Sequence, residues 1–83
     1  MPYFFFDYFD GQRLDEDDLG VELPDVETAH REAIQAAIEI WADALREPRN
    51  PSRDYFRIRD NNGNVLLELP FAELAEGIRP MRK

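Results

Sequence analysis

Eighty-three residues with no cysteine and a net charge of −8 describe one small domain that packing alone must hold together. A chain this short buries roughly 60–65% of its unfolded surface, and without Cys neither a disulfide nor a thiolate zinc site can reinforce it. Ten aromatic side chains, six of them Phe, supply core material, while the excess of acid makes nucleic acid and anionic membrane poor partners.

The charge is uneven. Residues 1–45 hold twelve acidic and two basic side chains, and residues 46–83 hold six acidic and eight basic. The N-terminal stretch MPYFFFDYFDG has no basic n-region, and Asp7 interrupts its apolar run. A signal peptide needs roughly 7–15 apolar residues and a membrane helix about 20, so a soluble cytoplasmic protein is expected.

Tyr3 to Phe9 reads as a strand, because its aromatic density is high and it lacks a helical period. Alternation puts Phe4, Phe6 and Tyr8 on one face and Tyr3, Phe5, Asp7 and Phe9 on the other. A buried unpaired carboxylate is expensive, so Asp7 is expected to face water, leaving Phe5 and Phe9 partly exposed. Asp10-Gly11 signals a hairpin turn. A three-residue loop with a bulge would set Leu14 opposite Tyr8. Asp15–Asp18 then forms a solvated acidic turn, and Val21 and Leu23 belong to a short extended piece ended by Pro24.

Asp25 is suited to cap a long helix running to about Arg46, with Glu27 complementing its positive end. Val26, Ala29, Ala33, Ala37, Ile40, Trp41 and Ala44 recur at helical spacing, and Ile34, Ile38 and Leu45 widen the same arc. The alanine edge predicts close approach to a sheet, and the large edge (Ile34, Ile38, Trp41, Leu45) predicts core filling. Arg31, Glu32, Gln35, Glu39, Asp43 and Arg46 lie opposite. Pro48 should stop the helix. After a turn-rich connector over 47–54, Tyr55–Asp60 and Asn64–Leu69 flank Asn62-Gly63. A two-residue loop there pairs Phe56 with Leu69, Ile58 with Leu67 and Arg57 with Glu68, so the apolar pattern and the charges agree. Pro70-Phe71 opens a last helical turn with Phe71, Leu74, Ala75 and Ile78 on one face and Gly77 as its cap. Residues 79–83 form a basic tail expected to fray.

No constellation specifies chemistry. Read as an EF-hand loop from Asp15, position 5 is Leu19 and position 12 is Val26, which are not ligands. The polar run Asp60–Asn64 has the residues that a tight turn selects for backbone reasons. His30, the only histidine, projects near the centre of the helix's apolar arc and reads as a structural edge-of-core residue. Ser52, the only serine, lacks a strand–turn–helix nucleophile elbow. The expectation is therefore a non-enzyme with no metal site and no cofactor. Two surfaces remain as candidates. Tyr3, Phe5 and Phe9 form an aromatic interaction patch, unless the segment from Phe71 to Ile78 folds back to cover them. Arg46, Arg49, Arg53, Arg57 and Arg59 form a basic patch with Tyr55 and Phe56 interleaved, which supports at most weak nucleic-acid binding.

The segments MPYFFFDYFDG, GVELPD, TAHREAIQAAIEIWADAL and DNNGNVLLELPF together resemble a family of small bacterial proteins, frequent in alphaproteobacteria, classed only as a domain of unknown function. The resemblance spans nearly the whole chain. It implies a stand-alone soluble cytoplasmic protein and carries no reaction, cofactor or catalytic residue. Tyr3 and Phe9 stand where many relatives are expected to have basic residues. The run from strands through "PD" into an Ala-rich helix is also similar to HicB-type antitoxins, although the Gly-Cys segment of that family is absent.

These readings predict an α+β two-layer domain of order β-β-α-β-β with a short C-terminal helix, an antiparallel sheet covered on one face by the long helix. The function expected is a non-catalytic protein-interaction or regulatory module, a homodimer or the binder of an unidentified protein. An antitoxin-like binder of a basic partner is the alternative, and a weak nucleic-acid binder the second.

Overall fold

A computed structural model describes residues 1–46 and 49–78 of the chain, with side chains as far as Leu74. The stop expected at Pro48 and the tail at 79–83 lie outside the described residues. The elements are β1 (Tyr3–Phe9), β2 (Leu14–Asp15), β3 (Val21–Glu22), α1 (Val26–Arg46), a 3-10 turn at Pro51–Arg53, β4 (Tyr55–Arg59), β5 (Val65–Pro70) and α2 (Phe71–Ile78). The fold is α+β, with a five-stranded sheet in the order β2-β1-β4-β5 and β3 also pairing with β1. Every pairing is antiparallel. Three strands, not two, precede the long helix, because the extended piece at Val21 finds hydrogen-bonding partners on β1.

The core forms where one face of the sheet meets α1. Phe4, Phe56, Ile58 and Leu69 pack with Ala29, Ala33 and Ala37 of the helix and with Phe71, and Phe6, Tyr8, Ile34, Ile40 and Trp41 close the periphery. Alanines at every fourth position present almost no side chain, so the helix backbone comes close to the sheet. Arg31, Glu32, Gln35, Glu39, Asp43 and Arg46 point to solvent, as the helical period predicts. Leu45 does not fill the core: it is 86% exposed, since the contact stripe turns through Ala44 at the end of α1. At the start of α1, Asp25 accepts from the Thr28 amide (2.8 Å) and hydroxyl (2.7 Å), satisfying free donors of the first turn.

The second hairpin has the expected pairs Phe56–Leu69, Arg57–Glu68 and Ile58–Leu67. It reaches them differently from a two-residue turn. Asp60 donates its N–H to Asn64 across a three-residue loop, and an irregularity beside Arg59, which pairs with Val65, restores the register. The first hairpin is also displaced. The Asp10 amide bonds to the Arg13 carbonyl across Gly11-Gln12, and the Asp10 carboxylate accepts from the amides of Gln12 and Arg13. Leu14 therefore lies opposite Phe9 instead of Tyr8.

α2 runs through Ile78, so Gly77 lies inside it and not beyond its end. Its first residue, Phe71, is fully buried, and its ring sits 5.5 Å from Phe56 and 6.0 Å from Tyr8. The Trp41 indole N–H donates to the Phe71 carbonyl. α2 thus seals the core on the α1 side of the sheet and leaves the face bearing Phe5 and Phe9 to another segment.

Candidate functional site

That other segment is the excursion between β2 and β3. β2 pairs with β1 at Tyr8 and Phe9, and β3 pairs with it at Tyr3 and Phe4. Between them, Glu16–Gly20 is too long to run straight beside Phe5–Asp7, so it folds over the outer face of the sheet. The Asp17 carboxylate takes the place of the missing strand. It accepts the Phe6 amide at 3.1 Å and turns its own loop by accepting from Leu19 and Gly20. Gly20 has φ +71°, and a Cβ there would lie 2.7 Å from the Phe5 ring. Glycine is what lets the loop return to β3 while touching the aromatic.

The excursion covers Asp7, which is 0% exposed. The expectation that Asp7 faces water is corrected: its side chain leaves the helix-covered face, as alternation requires, but is buried by the loop and by two arginines. Arg59 grips it with Nε to Oδ2 at 2.7 Å and Nη2 to Oδ1 at 2.9 Å. Arg57 Nε donates to Oδ2 at 2.9 Å, and the Asp17 amide donates to Oδ1 at 3.0 Å. Burial pushes the Asp7 carboxyl upward, but the hydrogen bonds from Arg59, the Asp17 amide and Arg57 outweigh it and hold the group below the ordinary carboxylate range. The acidic turn is thus more than a solvated loop: Glu16 also pairs with Arg57 at 3.3 Å.

A second polar cluster ties the connector to the sheet. Asp54, almost fully buried, accepts from the Tyr8 hydroxyl and from Arg49 Nη2 at 2.7 Å. Burial first, then the bond to Asp54, push the Tyr8 phenol up to about 12. The Asp54 carbonyl accepts the Phe71 amide, so one residue joins β1, the connector and α2. Among the described residues no buried side-chain nitrogen or oxygen lacks a partner, and no group of three His, Asp or Glu side chains is placed to hold a metal ion.

The two predicted surfaces are distributed as follows. Tyr3 is exposed, Phe5 is half-buried with the Arg59 guanidinium 5.3 Å from its ring, and half-buried Phe9 stacks on Tyr55 at 5.0 Å. The five arginines do not share a face. Arg57 and Arg59 lie on the outer face against Asp7, Arg49 reaches Asp54 on the α1 side, Arg46 pairs with Asp43 on the helix, and Arg53 is exposed in the 3-10 turn.

Sequence reasoning missed a cleft beside α1. It is about 260 Å³ in volume and is lined by Phe6, Val21, Leu23, Ala33, Ala36 and Phe56, with Glu32 as its charged residue. It exists because β3 is only two residues long and does not extend the sheet beneath the helix. Its floor and walls are apolar, and Val21 is 43% exposed at the rim. The small Ala33 and Ala36 side chains leave the room. No spacing in the sequence marks this site, which arises from where a short strand stops. None of the described helices is long and apolar enough to cross a membrane.

Comparison with curated proteins and with solved structures returns no match. A family model does match residues 3–72, spanning β1 to the start of α2, and the chain therefore belongs to the family described as Domain of unknown function (DUF6894).

Proposed function

We infer that the chain is a small non-catalytic protein-interaction module, acting in the cytoplasm, whose working surface is the apolar cleft beside α1. The observation that carries this reading is the contrast between the cleft and the polar clusters. Asp7, Arg57, Arg59, Tyr8, Asp54 and Arg49 are engaged with one another and with backbone, which suits a structural role. The cleft, by contrast, is a concave apolar surface open at its rim. At about 260 Å³ it falls below the ~300–1,000 Å³ of drug-sized ligand sites. It suits one or two side chains of a partner, the kind of anchoring pocket that concentrates binding energy in protein interfaces.

A photo-crosslinking amino acid at Val21, on the exposed rim of the cleft, tests the reading against a control at Gln35 on the exposed side of α1. In the native host, position 21 should give a discrete protein adduct that position 35 does not. No adduct, or the same adducts from both positions, would refute it.

A further inference from the structure

We propose that the partner side chain taken by this cleft is a bulky apolar one, carried on a basic segment of another protein. The inference rests on the interaction-module reading and names the chemistry of its partner. Two observations support it. First, the cleft walls are hydrocarbon: Phe6, Leu23, Ala33, Ala36 and Phe56 offer no hydrogen bond from a side chain, so the inserted group gains by leaving water and not by polar recognition. Second, the surroundings are acidic. Glu32 lines the cleft itself. Glu39 follows Ala36 by three positions on the helix and so stands beside it.

Among the described residues, three of the arginines that could offset this field are used elsewhere. Arg49, Arg57 and Arg59 are held by Asp54, Asp7 and Glu16. A cleft with an acidic rim along α1 attracts Lys and Arg beside the anchor and speeds their encounter. The same field disfavours a second copy of this chain, which would bring a charge of −8 against another −8.

The test uses a short peptide with one Phe flanked by lysines as probe, with two counterparts: Phe flanked by glutamates, and lysines flanking Ser. Binding is followed by fluorescence anisotropy and by amide shifts of Val21, Leu23, Ala33 and Ala36. The Lys–Phe probe should bind best and shift those amides. Ala36→Leu, which fills the cleft, should weaken it about tenfold. Glu32→Lys should weaken it severalfold and most at low salt, with the helical circular-dichroism signal of both variants unchanged. The proposal is overturned if the Lys–Ser peptide binds as well as Lys–Phe, if the Glu–Phe peptide binds equally, or if Ala36→Leu has no effect. It also falls if light scattering shows a dimer that Ala36→Leu dissociates, since the occupant is then a second copy. Its failure is distinguishable from failure of the broader reading. A specific adduct at position 21 with an acidic or neutral protein surface would keep the module and discard the basic partner, while absence of any specific adduct discards both.

Discussion

Replacing Asp7 with Asn should be among the most damaging near-isosteric changes available to this protein. The substitution keeps the shape but removes the charge that four hydrogen bonds converge on, from Arg57 Nε, Arg59 Nε and Nη2, and the Asp17 amide. It also turns an amide NH₂ toward guanidinium donors. Removing one member of a buried pair typically costs about 3–5 kcal/mol. The two guanidiniums are each 21% exposed and recover some hydration, so about 3 kcal/mol is expected. A domain of this size has about 4–12 kcal/mol in total. At about 4–8 °C per kcal/mol, the melting temperature should fall by roughly 12–24 °C. Denaturant titration followed by circular dichroism gives the energy, and amide hydrogen exchange shows where the structure opens. Protection should fall first at Phe6, Asp17 and Gly20, whose N–H groups bond to the Asp7–Asp17 pair.

The pH dependence has a definite sign. Asp7 is held below the ordinary range in the folded protein, so its contribution is complete above the unfolded value of about 3.9 and is lost as pH falls through the folded one. The Asn variant should lack this part of the acid limb. A variant within 0.5 kcal/mol of the parent, with an unchanged acid limb and unchanged loop protection, would refute the assignment of Asp7 as the keystone of the outer face.

Three further outcomes are expected. Gly20→Ala should destabilise by more than the roughly 1–2 kcal/mol of a left-handed alanine, because its Cβ also meets the Phe5 ring, whereas Gly63→Ala (φ +85°, with nothing within 4 Å of its Cβ) should show the backbone strain alone. Paired thermal melts separate the two. Tyr8→Phe should cost about 1–2 kcal/mol by leaving buried Asp54 with fewer donors. Because the Tyr8 phenol is raised to about 12, its contribution is full below about pH 10 and lost as pH rises toward 12, so ultraviolet phenolate titration of the variant should lack the step near 12. Asp25→Ala should remove about 1 kcal/mol by uncapping α1, visible in denaturant midpoints with the slope unchanged.

The elements that were legible in the sequence are those whose signal is local. The α1 stripe of Ala29, Ala33 and Ala37 and its Asp25 cap lie within one helical period, and the pairs Phe56–Leu69 and Ile58–Leu67 agree in pattern with a nearby turn. The burial of Asp7 was not legible. Weighing water against unpaired burial omits the third case, paired burial, whose partners Arg57 and Arg59 are 50 and 52 residues away. A signal was present. Two arginines on the outward positions of β4 need a carboxylate, and Asp7 is the one acid within β1. Using it requires knowing that β1 lies beside β4, a long-range fact. The cleft was less accessible still, because it depends on β3 ending after Glu22.

The ion cluster and the cleft, on opposite faces of β1, are mechanically joined. Asp7 holds the Asp17 amide, Asp17 holds Gly20, and Gly20 leads directly into Val21, the exposed wall of the cleft. Leu23, the next wall residue, is fixed by its amide to the Pro2 carbonyl at 3.1 Å and by its contact with the core. Loosening the outer face should therefore unsettle the inner wall, although the cleft is lined by other side chains than those of the cluster. In the Asp7→Asn variant, amide exchange at Val21 and Leu23 should accelerate together with that at Asp17 and Gly20, under conditions where Ala33 and Ala37 in the core of α1 stay protected. If the loop amides lose protection while Val21 and Leu23 keep theirs, β3 is held by its two pairs with β1 alone, and the cleft is independent of the buried carboxylate behind it.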